Sequence, residues 1–111
     1  MKFKARTSDV SGTHRDRAIG VRKDGSLSIL LEYGKIVIHT RVNVAKVLQL
    51  PPGDEITHGG TVIACQYAPR YGQTDELYFH YVGQYININD TRIFVTRQGL
   101  RAAARRAGVK I

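Results

Sequence analysis

The chain has 111 residues, 42% of them hydrophobic and 23% charged, with a net charge of +8. That size suits a single domain over 1–111, and the ordinary balance of apolar and charged residues argues against a disordered chain. No apolar run approaches the roughly 20 residues that span a bilayer, the start Met1-Lys2-Phe3-Lys4 lacks the apolar stretch of a signal peptide, and the lone Cys65 has no internal partner, so a reducing, cytoplasmic setting is expected, a host cell's included if the gene is viral or plasmid-borne.

Residues 2–7 alternate, with Lys2, Lys4 and Arg6 on one side and Phe3, Ala5 and Thr7 on the other, which predicts a half-buried strand. Residues 8–17 have no period and many turn formers, and are read as a loop. A second strand is expected over 19–23. Asp24-Gly25 is a hairpin signal, since both residue types tolerate the positive φ of a type I′ turn. Strands over 27–32 and 36–41 flank a turn at Tyr33-Gly34.

Residues 43–50 are read as one or two helical turns. Asn43 is a good N-cap, Val44, Val47 and Leu48 fall at helical spacing, and Pro51-Pro52 stops the run. After a turn at 52–54, strands are expected over 60–67, 77–88 (with a bulge at Gly83) and 92–96, separated by a polar loop at 68–76 and a turn at 89–90. The last element is a helix over 97–107. Thr96 is its N-cap, Leu100, Ala103, Ala104 and Ala107 form its apolar stripe, and Gly108-Val109 is its C-terminal stop. The expected fold is therefore mainly β (α+β): a small bent antiparallel sheet or partly open barrel of five to seven strands, with a C-terminal amphipathic helix.

The charge lies at the two ends. Residues 1–23 carry seven Lys/Arg against Asp9 and Asp16, and residues 96–111 carry five against no acid; the middle holds five against seven acids. Two basic blocks around a near-neutral middle point to a polyanionic partner. Arg97, Arg101 and Arg105 recur every four residues, with Arg106 beside them, and guanidinium binds phosphate bidentately. A solvated face would look similar, but this helix has no acid to pair with its arginines. Lys2, Lys4 and Arg6 on the first strand, and Arg15 and Arg17 in the following loop, are the other candidate phosphate contacts, although lysine on an edge strand also guards against aggregation.

Six aromatics crowd residues 67–85. Strand alternation puts Phe79, Tyr81 and Tyr85 on the face opposite Tyr78 and His80, so one set belongs to a core. The other suits either a half-exposed strand, the reading preferred here, or a platform for unpaired bases. Arg70 and Tyr71, between Pro69 and Gly72, form the expected exposed pair for stacking or for a protein partner. The four histidines are scattered without ligand spacing, and neither a nucleophile elbow nor a phosphate-cradling glycine loop is present. No metal, cofactor or catalytic centre is therefore expected.

Roughly a fifth of the chain resembles the AbrB-type swapped-hairpin DNA-binding domains. Gly34-Lys35-Ile36-Val37-Ile38 leads through a short helical turn to Leu48-Gln49-Leu50-Pro51-Pro52-Gly53-Asp54-Glu55-Ile56. It departs at His39, where the family has proline, and its spacing is longer by two. The resemblance implies a DNA-binding dimer, and no family assignment is made from it. The functional expectation is a non-enzymatic nucleic-acid-binding protein. Alternatives are an interaction module docking on a larger, acidic or nucleic-acid-binding protein, and a structural subunit of a nucleoprotein particle.

Overall fold

A computed structural model describes residues 10–14, 17–51, 55–58, 62–66, 75–81 and 91–111, with side chains over 17–51, 75–81 and 92–111. The expected first strand over 2–7 lies outside the described residues, as do most of the loop at 68–76 and residues 82–88 of the expected long strand.

The chain is mainly β, antiparallel, and ends in a helix. Its strands fall into two four-stranded sheets rather than one bent sheet or partly open barrel. The first sheet is a meander of β1 (Val10–His14), β2 (Arg17–Val21), β3 (Ser26–Leu31) and β4 (Ile36–Asn43). It runs directly into α1 (Val44–Leu48). The second repeats that plan with β5 (Glu55–His58), β6 (Val62–Gln66), β7 (Glu76–Tyr81) and β8 (Thr91–Thr96), and runs into α2 (Arg97–Arg106). Strand β1 lies beside β8, and β4 beside β5, so the two meanders meet at both edges.

Period-two alternation explains which faces meet. Ile19 and Val21, Leu27, Ile29 and Leu31, and Ile38 and Val42 turn inward from the first sheet; Leu77, Phe79 and Tyr81, and Ile93 and Val95, turn inward from the second. Val44 and Val47 of α1 and Leu100, Ala103 and Ala104 of α2 join the same buried cluster. Burial of this apolar surface is the main favourable term in folding, at about 25 cal/mol per Å².

Two local expectations are corrected. Residues 10–14, read as loop, form β1, which pairs with β2 through an irregular register between Ser11 and His14. The backbone ladder carries a segment whose side chains lack strand character. Asp24-Gly25 does not form a type I′ turn, because only Gly25 has positive φ (+88°). The Gly25 N–H donates to the Arg22 carbonyl (2.9 Å), and the Arg22 N–H to that of Ser26 (2.9 Å), which closes a three-residue loop. Asp24 favours this form because its carboxylate accepts from both the N–H (2.9 Å) and the hydroxyl (2.6 Å) of Ser26. Those two bonds hold the Asp24 carboxyl below the usual carboxylate range.

The turn between β3 and β4 does use the left-handed region, and it does so with side chains. Glu32 (φ 50°) and Tyr33 (φ 59°) both lie there, followed by Gly34 (φ 84°). Outside glycine this conformation costs about 1–2 kcal/mol per residue, and the Tyr33 ring is 74% exposed, so burial offsets little of it. The substitution Tyr33→Gly should therefore raise stability by about 0.5–1 kcal/mol, the strain relieved exceeding the entropy glycine adds to the unfolded chain. A higher urea midpoint at unchanged slope is the expected reading; a lower midpoint would show that the ring makes contacts its exposure does not suggest.

Candidate nucleic-acid interface

Helix α2 is capped at both ends. The Thr96 hydroxyl accepts from the Gly99 N–H (3.0 Å). Asp75, just before β7, accepts from the two N–H groups that precede it: its carbonyl from Arg97 (2.8 Å) and its carboxylate from Gln98 (3.2 Å). An acid thus sits at the positive end of the helix dipole although the helix itself contains none. At the other end Gly108 takes φ +88°. The Val109 N–H reaches the Ala104 carbonyl (2.9 Å) and that of Gly108 reaches Arg105 (3.0 Å), which is the Schellman pattern the Gly-Val pair predicts.

These ends fix which way the arginines face. Leu100, Ala103 and Ala104 are fully buried. At 100° per residue, the sector opposite them is centred between Gln98 and Ala102, with Arg105 about 30° from its centre and Arg101 and Arg106 about 70° to either side. Arg105 and Arg106 are exposed, and Arg101 is half-buried. Arg97 lies at the edge of the apolar sector and behaves differently. Its Nη2 donates to the Leu50 carbonyl just beyond α1, and its Nε is buried with no hydrogen-bond partner among the described residues. Arg97 thus ties α2 to α1, while Arg101, Arg105 and Arg106 remain directed outward.

Helix α2 also lies against β1 and β2. The described part of the basic N-terminal segment and the basic C-terminal helix are therefore neighbours. Arg17, which opens β2, is half-buried and shares the strand parity of the core residues Ile19 and Val21. Lys2, Lys4, Arg6, Arg15, Arg70 and Tyr71 lie outside the described residues.

The aromatics separate by face as alternation requires. Phe79 and Tyr81 are core. Tyr78 and His80 are half-buried on the outer face of the second sheet. There they meet residues of β8 that sequence reasoning did not single out. Tyr78 stands opposite Phe94, and His80 opposite Arg92. The Tyr78 and Phe94 rings are 5.2 Å apart and tilted by 42°; Tyr78 and His80 are 5.9 Å apart. Arg92 is exposed. The signal was available in the alternation Arg92-Ile93-Phe94-Val95, which turns an arginine and an aromatic to the side opposite two aliphatics.

A second polar pair lies on the outer face of the first sheet, where the buried Ser28 hydroxyl is 3.0 Å from His39 Nδ1. Desolvation, and then the charge of Arg22, pull the His39 ring below the usual imidazole range, so it is a neutral hydrogen-bonding group near pH 7. Among the described residues no three His, Cys, Asp or Glu side chains gather to hold a metal, and no helix is long and apolar enough to cross a membrane. Comparison with protein-family models, with curated proteins and with solved structures finds no match, so the short likeness to AbrB-type domains assigns no family.

Proposed function

We infer that this protein binds nucleic acid without catalysing a reaction on it, chiefly through phosphate contacts. One observation carries this reading: the outward side of α2 presents Arg101, Arg105 and Arg106 with no acid on the helix, next to the β1–β2 hairpin of the basic N-terminal segment. Adjacent turns set Arg101 and Arg105 about 6 Å apart along the axis, a spacing over which two neighbouring phosphates can be met. The overall excess of +8 adds long-range attraction for a polyanion.

Phosphate contacts release condensed counterions, so affinity must fall as salt rises. Fluorescence anisotropy of labelled DNA and RNA, single- and double-stranded, titrated at several salt concentrations should give binding whose log K falls with log salt at a slope of about −2 or steeper. Absence of binding at low salt, where the charge excess acts most strongly, would overturn the reading. Binding indifferent to salt would overturn the phosphate contacts and point to contact with the bases instead.

A further inference from the structure

We propose that the outer face of the second sheet, at Tyr78, His80 and Phe94 with Arg92 beside them, stacks unpaired bases, so that the preferred partner is a single strand. This rests on the nucleic-acid reading above and narrows it. Three π-bearing side chains occupy adjacent positions of one antiparallel pair, two of them directly opposite each other. None is in the buried cluster, whose residues alternate with them along β7 and β8. All three side chains are half-buried rather than core, with His80 Nε2 itself buried.

Charge selects the occupant. The exposed Arg92 lies opposite His80 on the same two strands, and β8 continues directly into the arginine-bearing α2. A partner that is anionic along its length and aromatic at each repeat matches a row of rings with the exposed guanidinium of Arg92 at one end, while the acid of the same strand parity, Glu76, is buried. Single-stranded nucleic acid has both properties. A duplex hides its base faces in the stack and offers only phosphate and groove edges. Stacking on rings tolerates any base, so the face implies little sequence selectivity.

The test compares three probes at fixed salt: an oligothymidylate, an abasic sugar–phosphate strand of the same length, and a duplex. The wild-type protein should bind the oligothymidylate about tenfold or more tighter than the abasic strand, the effect of one stacked base. Tyr78→Leu and Phe94→Leu, which keep an apolar side chain and remove the ring, should bring that ratio close to one. Duplex affinity and salt slope should stay as in wild type. Phe94→Trp keeps the ring and places the only tryptophan in the chain; it should preserve the ratio, and its fluorescence should be quenched by the oligothymidylate and not by the abasic strand. Equal wild-type binding to thymidylate and abasic strands, or a ratio that survives both leucine variants, overturns the stacking proposal while leaving phosphate binding intact. Failure of all three probes to bind at low salt overturns both, and would assign the aromatic face to a protein partner.

Discussion

Phe79→Ala should lower stability by about 3–5 kcal/mol, whereas Tyr78→Ala, one residue earlier, should cost less than half as much. Phe79 is 1% exposed, faces the core between Ala64 and Ile93 in the strand register, and belongs to the cluster that joins both sheets and both helices. Truncating such a ring loses its transfer free energy and leaves a cavity that close-packed neighbours fill only in part. Small domains are stable by about 5–15 kcal/mol, so this one change brings the chain near its folding threshold. Tyr78 is only half-buried, its ring 5.2 Å from that of Phe94 and tilted by 42°, so truncation removes less buried surface. Urea denaturation of the two variants measures the difference directly. Equal losses would mean that the outer face is packed as tightly as the inner one, leaving no ring surface for a base.

That comparison turns on alternation, which is the feature most legible in this sequence. Strand parity assigned Phe79 and Tyr81 to one side and Tyr78 and His80 to the other without any tertiary information. Local capping chemistry was equally readable. Asn43 caps α1 by accepting from the Ala45 N–H (2.8 Å), and Thr96, Gly108 and Val109 bound α2 as their residue types predict. In each case the determinant lies within a few residues of the site it determines.

What escaped sequence reasoning depends on partners far along the chain. Strand β1 is written in Val-Ser-Gly-Thr-His, and β5 in Glu-Ile-Thr-His between turn formers; both are strands because a neighbouring backbone offers a ladder. The division into two sheets was also hidden. Consecutive hairpins read alike whether they extend one sheet or begin another, and the break rests on a five-residue helix whose placement only packing determines. Arg97 shows the same limit at a single side chain. Its spacing groups it with Arg101 and Arg105, yet it lies at the margin of the apolar sector, where the carbonyl of Leu50 captures it.

The difference between Arg97 and its neighbours leads to the sharper expectation for binding. Replacing Arg101 and Arg105 together by glutamine should weaken nucleic-acid binding at low salt by about tenfold or more and flatten the salt slope by roughly 1.4–1.8, two contacts at 0.7–0.9 each. Glutamine has nearly the helix propensity of arginine, so α2 should persist. Arg105 also favours the negative end of the helix dipole, at about 0.3–1 kcal/mol, a loss small enough to leave the fold intact. The control is a pair with the same change in net charge: Lys35→Gln with Lys46→Gln, both exposed, one on the β3–β4 turn and one on α1. If only total charge matters, the two double variants will weaken binding alike. If the α2 surface touches phosphate, the lysine pair will keep nearly the wild-type slope and the arginine pair will not. Arg97→Gln should separate the two roles of arginine on this helix. It leaves the Leu50 carbonyl without its donor, at about 1–3 kcal/mol of stability, and should change the salt slope little because its guanidinium already faces α1. An unchanged slope in the Arg101/Arg105 variant, with full folding shown by circular dichroism, would remove α2 from the interface and leave the N-terminal segment as the source of phosphate contacts.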